Sequence, residues 1–174
     1  IDMGNSTTFG GAYAPVARLY FAYFLRIPDL GGLYYWVGQV RKGVKLDVVS
    51  QSFASSNEFR TRYGTLTNRK FVEQVYLNVL GRPGEPGGVT FWTGQLDARK
   101  RTRGQVMTGF SESNEYKRVR AAEIDTLLLY RGLLRRMPTG AEFASTVARL
   151  KADPATPLTT VVGELLALPA YAGR

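Results

Sequence analysis

The glycine-rich segment GRPGEPGGVTFWTGQ, residues 81–95, is the first candidate for chemistry, because such loops can expose backbone N–H groups to a bound phosphate. A nucleotide loop requires a preceding strand and a pattern such as G-x-x-x-x-G-K-[ST] or G-x-G-x-x-G. Neither pattern is present, and a similar segment, LRIPDLGG, occurs earlier at residues 25–32. We therefore interpret the segment as a turn between two helices.

Catalytic chemistry is restricted by what the chain lacks. It contains no histidine and no cysteine, which removes the commonest general base, the thiol nucleophile and the usual zinc ligands. The 14 acidic residues do not single out a catalytic pair, since Glu112, Glu115 and Glu123 lie beside basic residues on predicted solvated helix faces. No D-x-D-x-D-G calcium loop occurs. We predict a protein that is not an enzyme and has no cofactor.

Binding to an acidic partner is the chemistry that the composition favours. The chain has 23 Lys and Arg against 14 Asp and Glu, a net charge of +9, which attracts nucleic acid, anionic lipid, acidic polysaccharide or an acidic protein face. A solvated, solubilising surface is the alternative. No helix-turn-helix, zinc-finger, KH or RNP pattern is present, so we expect no specific nucleic-acid recognition. The candidate residues lie in three predicted loops: Arg41, Lys42 and Lys45; Arg99, Lys100, Arg101 and Arg103; Arg149 and Lys151.

Aromatic residues could stack on sugar rings. Tyr34, Tyr35 and Phe91 fall at the edge of the apolar stripe of their predicted helices, so we regard them as candidate sugar-stacking residues. Trp36 and Trp92 lie on the stripe itself, and we predict that they pack in the core.

An internal repeat underlies these candidates. Residues 20–40 align with residues 76–96 without a gap, and a weaker third copy follows from about residue 124. The matched positions with structural roles are Tyr20, Tyr76 and Tyr130; Arg26, Arg82 and Arg136; and Trp36 and Trp92. The chain is therefore predicted to contain three related units, the last of them degenerate.

Apolar residues recur at helical spacing in every unit, and no segment alternates with period two. We predict an all-α fold, a compact helical repeat array with about three helices per unit. The predicted boundaries are a linker or ordered arm at 1–15, units at 16–68 and 69–120, and a degenerate unit at 121–174, all in one compact domain. No run is apolar enough to span a membrane. Because the sequence begins with Ile1 and not with methionine, we expect a processed product or a piece of a longer protein.

Arg26, Arg82 and Arg136 allow two interpretations. Each could bind an anion, or each could hold an interhelix turn by pairing with a nearby carboxylate and with carbonyls at the helix end. We favour the structural interpretation, with Asp29 and Glu85 as partners of the first two. Asp29, Glu85 and Thr139 are also predicted to cap the helix that follows.

The unit has a recurrent pattern: aromatic-x4-Gly/Leu-Arg-x2-Asp/Glu-x-Gly-Gly-x3-Trp, then Phe-x2-Ser-x-Glu-aromatic. This pattern resembles the bacterial domain-of-unknown-function family 4214 over most of residues 16–120, with Leu25 where the family prefers glycine. The resemblance implies exported or surface proteins of bacteria, often beside RTX-type calcium-binding repeats and sometimes beside glycosyltransferase modules, with no known catalytic residues. Short pieces such as NVLGR are more distantly similar to the helical linker domains of phycobilisomes.

These observations predict a non-catalytic assembly or attachment module of an exported bacterial surface protein, located outside the cell or at its surface. Its basic loops would face a protein partner, another copy of the chain or an acidic polysaccharide. One alternative is a carbohydrate-binding module for acidic polysaccharide that uses Tyr34, Tyr35 and Phe91 together with the basic loops. Another is an accessory domain of a polysaccharide-active enzyme.

Overall fold

The computed structural model describes residues 10–152 and 158–167, and within these ranges every regular element is helical. The all-α prediction is confirmed. The helices are α1 (Gly10–Phe24), α2 (Leu30–Arg41), α3 (Leu46–Ala54), α4 (Asn57–Tyr63), α5 (Asn68–Leu80), α6 (Pro86–Asp97), α7 (Arg103–Ser111), α8 (Asn114–Val119), α9 (Ala121–Leu129), a π-helix (Tyr130–Leu134), α10 (Gly140–Ala152) and α11 (Leu158–Leu166). None of the helices in these ranges combines the length and apolar character that crossing a membrane requires.

The described residues form two compact units. One comprises residues 15–118, and the other comprises residues 10–14 with residues 119–152 and 158–167. The division near residue 118 falls close to the predicted boundary between the second and third repeats. Our prediction that all units form one compact domain stays a prediction. Helix α1 begins at Gly10, so residues 10–15 of the predicted linker or arm are helical. Residues 1–9 of that arm lie outside the described residues.

The number of helices in the first two predicted repeats differs from our expectation. Each contains four helices, α1–α4 and α5–α8, instead of about three. The additional helices are α4 and α8, which begin directly after Ser56 and Ser113. Ser56 Oγ accepts a hydrogen bond from the backbone N–H of Phe59 at 3.1 Å, and Ser113 Oγ accepts one from Tyr116 at 3.2 Å. The serine of the Ser-x-Glu-aromatic pattern is therefore an N-cap that starts a separate short helix.

Aromatic side chains from several helices build the core of unit 15–118. Tyr23 and Phe53 are buried, and their ring centroids lie 5.8 Å apart in an edge-to-face arrangement. Phe59 contacts both Tyr23, at 5.6 Å, and the fully buried Phe71, at 6.0 Å. Such ring pairs contribute roughly 0.5–1.5 kcal/mol beyond the area they bury. This core fixes α1, α3, α4 and α5 against one another.

Helices α3 and α7 approach each other closely in unit 15–118. A β-carbon on Gly104 would overlap the Asp47 carbonyl and the Gln51 backbone nitrogen, so glycine is required there. Gly104 N–H donates to Gln51 Oε1 at 2.9 Å, and Ser50 Oγ donates to the Gly104 carbonyl at 2.9 Å. Tyr23 Oη lies 2.9 Å from Ser50 Oγ, and burial raises the pKa of Tyr23. The helix pair is thus joined by a buried hydrogen-bonded network.

A buried ion pair links α1 to the segment between α7 and α8. Arg18 is 6% exposed and donates from Nε and Nη2 to the two carboxylate oxygens of Glu112, each at 2.7 Å. Lys117 Nζ lies 3.3 Å from the same carboxylate.

A buried hydrogen bond connects α5 to α1: Asn78 donates to the Ala22 carbonyl at 2.8 Å. These contacts join the two predicted repeats of unit 15–118.

The other unit has its own small core. Leu129, Tyr130, Leu134, Val161 and Leu165 are buried together where α9, the π-helix and α11 meet. Contrary to our expectation of a solvated face, Glu123 is 5% exposed. Its Oε1 accepts from Arg120 at 3.1 Å and from Lys151 at 2.8 Å.

Candidate functional site

Two loops of unit 15–118 carry most of the candidate basic residues. The first basic loop, residues 41–45, joins α2 to α3, and the second basic loop, residues 98–102, joins α6 to α7. Both loops have the same hydrogen bond at the helix end: Val44 N–H donates to the Gln39 carbonyl at 3.0 Å, and Lys100 N–H donates to the Gln95 carbonyl at 2.9 Å. Each loop is therefore held by its own backbone.

A left-handed residue closes the preceding helix at the same point of each basic loop. In the first loop this residue is Gly43, with φ +92°, and in the second it is Arg99, with φ +53°. Glycine adopts this region without strain, whereas a residue with a β-carbon is disfavoured there. The second basic loop therefore holds an arginine where local geometry favours glycine.

The cations of the two loops face solvent. Arg41, Lys42 and Lys45 are exposed in the first loop, as are Arg99, Lys100 and Arg101 in the second. Within the described part of the chain, no carboxylate lies within 4.0 Å of Lys42, Lys45, Arg99, Lys100 or Arg101. Unit 15–118 contains 16 of the 23 basic residues and 8 of the 14 acidic residues, so it holds most of the excess positive charge.

Arg103, Arg149 and Lys151 bind other groups of the protein, although Arg149 and Lys151 stay exposed. Arg103 Nη2 donates to the Leu66 carbonyl at 2.7 Å and to Asn68 Oδ1 at 3.0 Å, and burial lowers the pKa of its guanidinium. In the other unit, Arg149 pairs with Glu164 at 2.5 Å and Lys151 pairs with the buried Glu123. These three residues hold helices together. The sequence could not separate them from the loop cations because their partners are distant in the chain.

The three repeated arginines lie in the interhelix turns and pair with carboxylates. Arg26 makes two hydrogen bonds to Glu58, at 2.6 and 2.9 Å, and lies 3.7 Å from Asp29. Arg82 pairs with Glu85. The pairing with turn carboxylates that we favoured is therefore present for Arg26 and Arg82, but the stronger partner of Arg26 is Glu58. Glu58 is the glutamate of the repeated Ser-x-Glu-aromatic pattern, and this recurrence is the sequence signal that could have identified it as a partner.

Arg136 has the corresponding place in the other unit. It makes two hydrogen bonds to Glu142, at 2.7 and 2.6 Å. Hydrogen bonds from Arg136, and to a smaller extent from Thr139, lower the pKa of Glu142 to about 2. Thr139 and Glu142 also form a reciprocal capping box, with N–H donors at 2.7 and 3.3 Å, as predicted for Thr139.

The predicted helix caps at Asp29 and Glu85 differ from each other. Asp29 Oδ1 accepts from the Gly32 N–H at 2.7 Å, so Asp29 caps α2. Glu85 is the N-cap residue of α6 but its side chain makes no capping bond. The Glu85 carboxylate pairs with Arg82 instead, which lowers its pKa. The longer glutamate side chain reaches the arginine more readily than the backbone N–H groups behind it.

The repeated tyrosines and glycines are in contact. A β-carbon on Gly32 would overlap the Tyr20 hydroxyl, and one on Gly88 would overlap the Tyr76 hydroxyl. Burial, followed by the charge of Asp29, raises the pKa of Tyr20 to about 12. Tyr130 is also buried, in the core of the other unit. These contacts explain why tyrosine and the second glycine of the pair recur together.

The tryptophans are not core residues. Trp36 and Trp92 are half-buried, and each packs its ring against a phenylalanine: Phe53 at 5.5 Å and Phe110 at 5.9 Å. The apolar spacing placed both side chains on the inward side of their helices, but it did not reveal that the indole rings are only half-buried. Their outer edges therefore face solvent.

The candidate sugar-stacking residues are exposed. Tyr35 is 58%, Phe91 56% and Tyr34 37% accessible. Tyr35 and Phe91 each contact the adjacent tryptophan edge-to-face, at 4.9 and 5.0 Å. Each of these two rings therefore presents an open face beside a half-buried indole. Across residues 10–152 and 158–167, no three acidic side chains gather as a metal site would require.

Comparison with known protein families gives one match. Residues 50–119 match the model of a family described as a domain of unknown function, DUF4214. This confirms the resemblance for a segment that runs from within α3 to the end of α8 and includes the second basic loop. No curated protein and no solved structure matches the chain.

Proposed function

We propose that this chain, in which residues 50–119 are a DUF4214 domain, is a non-catalytic assembly or attachment module that binds an acidic partner through its two basic loops. Its location outside a bacterial cell or at the cell surface is part of the same proposal, and its support is the character of the family. The partner is a protein face, another copy of the chain or a polyanionic polymer.

The observation that carries this proposal is the contrast between two groups of cations. Arg18, Arg26 and Arg82 are held by carboxylates. Five exposed cations of the two basic loops have no carboxylate partner within the described residues, although the loop backbones are fixed by hydrogen bonds: Lys42, Lys45, Arg99, Lys100 and Arg101. Positive groups fixed in this way bind an anionic surface with little loss of conformational freedom.

The repeat organisation belongs to the proposal as well. A left-handed residue ends the first long helix of each proposed unit: Leu25, Gly81 and Arg135, with φ of +51°, +66° and +55°. Each of these residues precedes a repeated arginine. Their recurrence supports an array of three related units.

Glu142 supports a degenerate third unit. It occupies the position that corresponds to Gly32 and Gly88 and turns to Arg136, so the tyrosine–glycine contact has been replaced by an ion pair. With Glu142 in place of glycine, the turn is stabilised by an ion pair and not by the tyrosine contact, and the repeated arginine is kept.

Light scattering on the purified chain tests the proposed function. The chain is measured alone and with polygalacturonate, at low and at high salt. We expect either a defined oligomer of the chain or a complex with the polymer that dissociates at high salt, because exposed charges are screened. A monomer that binds neither itself nor the polymer at low salt would contradict the proposal.

A carbohydrate-binding module is the second candidate, and the exposed rings of Tyr35 and Phe91 favour it. Aromatic stacking on a sugar is insensitive to salt, unlike the interaction of the basic loops. Replacing Tyr35 and Phe91 by alanine should therefore weaken any polysaccharide binding that persists at high salt. Unchanged binding by this double variant would exclude the second candidate.

A further inference from the structure

We propose that the groove at which both basic loops end is a binding site for a segment of an acidic polysaccharide. The groove would hold the sugar hydroxyls, and the loops would bind the carboxylates on either side. This inference depends on the proposed function and names its partner. It uses a different surface from the exposed aromatic residues of the second candidate.

The groove has a volume of about 490 Å³, within the range of about 300–1,000 Å³ typical of ligand sites. Lys45, the last residue of the first basic loop, and Thr102, the last residue of the second, both line it. Arg101 directly precedes Thr102. The remaining lining residues are Asp47, Val48, Gln51, Ser52, Ser55 and Gln105.

The groove lining is rich in groups that bind hydroxyls. Gln51 Oε1 accepts from the Gly104 N–H at 2.9 Å, and its Nε2 donates to Ser55 Oγ at 3.2 Å, which fixes the amide. Gln105 Oε1 accepts from the Thr102 N–H at 3.0 Å within the capping box of α7. Sugar hydroxyls both donate and accept, so they suit a lining of hydroxyls and oriented amides.

Hydrogen-bonding capacity distinguishes a sugar polymer from a nucleic acid here. Asp47 places a carboxylate in the groove, which accepts hydrogen bonds from sugar hydroxyls, whereas the phosphates of a nucleic-acid backbone have no hydrogen to donate. Single-stranded nucleic acids also need aromatic platforms for their bases, and Tyr34, Tyr35 and Phe91 do not line this groove. Val48 does line it and is 55% exposed, so it offers an apolar contact to the face of a pyranose ring.

The test introduces a negative charge into the groove and, as a control, at the corresponding position outside it. Ser52 is exposed on α3, and its Oγ contacts only the Val48 carbonyl of its own helix among the hydrogen bonds described, so Ser52→Glu should preserve the fold. The aligned position on α7 is Gly109, which is exposed, has open space around it and does not line the groove. Gly109→Glu adds the same charge there.

Calorimetric titration with an oligogalacturonate of eight residues measures the effect, and melting curves confirm that both variants fold. We expect Ser52→Glu to weaken binding about tenfold or more, because the added carboxylate takes up space in the groove and repels the carboxylates of the oligomer, and Gly109→Glu to weaken it less than about twofold. Equal effects of the two variants would overturn the inference.

Further measurements distinguish a failure of this inference from a failure of the proposed function. If Lys100→Glu/Arg101→Glu abolishes binding and Ser52→Glu does not weaken it, the basic loops bind the polymer but the groove does not, and only this inference fails. If the unmodified chain binds no acidic polymer and forms no assembly, the proposed function fails with it. An oligonucleotide of eight phosphates that binds as tightly as the oligogalacturonate would overturn the assignment to a polysaccharide.

Discussion

The hydroxyl of Tyr76 lies so close to the α-carbon of Gly88 that no β-carbon fits between them. Tyr20 and Gly32, in the first turn of α2, have the same relationship. A β-carbon on Gly87, in contrast, would meet nothing within 4 Å. The second glycine of this Gly-Gly pair is thus required by packing, and the first is not.

Replacement of these two neighbouring glycines by alanine should therefore have different effects. Gly88→Ala should lower the free energy of unfolding by about 1–3 kcal/mol, the usual cost of an overpacked site. Gly87→Ala should leave it unchanged or raise it by up to about 1 kcal/mol, because alanine favours the helix. Chemical denaturation measures both. Adding Tyr76→Phe to Gly88→Ala should recover part of the loss; equal stability of the two alanine variants would contradict the contact.

The Arg18–Glu112 ion pair should respond unequally to removal of its two members. Glu112→Ala leaves the buried Arg18 without its bidentate partner and should cost about 3–5 kcal/mol. Arg18→Met should cost less, since Glu112 is partly exposed and keeps Lys117 at 3.3 Å. Urea denaturation of the single variants and of the double variant gives the coupling energy. A larger loss for Arg18→Met than for Glu112→Ala would be inconsistent with this ion pair.

Arg99 should show opposite effects on stability and binding. Its φ of +53° favours glycine, so Arg99→Gly should raise the free energy of unfolding by up to about 1 kcal/mol. The same change removes a cation from the second basic loop and should weaken binding to an acidic polymer. Gly43→Arg, at φ +92° in the first basic loop, is the reverse control and should lower stability. A loss of stability in Arg99→Gly would show that the arginine itself holds the loop.

Glu142 should make the free energy of unfolding depend on pH in the acid range. Its pKa is depressed from 4.5 to about 2 by hydrogen bonds from Arg136 and then by Thr139. A carboxylate with a lowered pKa stabilises the fold above its unfolded pKa, and that contribution is lost as the pH falls from about 4.5 towards 2. NMR titration of the Glu142 carboxyl carbon should give a midpoint near 2, and Arg136→Gln should move it up towards the ordinary value. A midpoint near 4.5 in the unmodified protein would contradict the pair.

Local patterns predicted the helical elements well. Helical spacing of apolar residues identified the all-α fold, and Thr139 was predicted as a helix cap, which it is, in a capping box with Glu142. Both signals act within about one helical turn, where sequence neighbours are also neighbours in space. The same patterns did not reveal α4 and α8, because a serine N-cap between two short helices keeps the apolar spacing almost continuous.

The sequence could not predict the ion pairs between residues that are far apart in the chain. Glu58 reaches Arg26 from a helix 32 residues away, and Glu112 reaches Arg18 across 94 residues. Arg103 looked like the other cations of its loop, but its guanidinium lies over the ring of Phe71, 5.0 Å from its centroid. Such pairings depend on how helices pack, which residue spacing does not encode. Of the three predicted basic loops, the first two do expose cations, whereas Arg149 and Lys151 of the third lie within α10 and pair with glutamates.

The most direct test of the proposed function compares two charge-reversed variants of equal net charge. Lys100→Glu/Arg101→Glu alters the second basic loop, and Arg62→Glu/Arg118→Glu alters exposed arginines in the last turns of α4 and α8. Affinity for polygalacturonate is measured for both variants and the unmodified chain at low and at high salt. We predict that the loop variant binds about tenfold or more weakly at low salt and loses much of the salt dependence, while the control binds nearly as well as the unmodified chain. Equal weakening of the two variants would show attraction to overall charge only and would contradict a binding role for the loops.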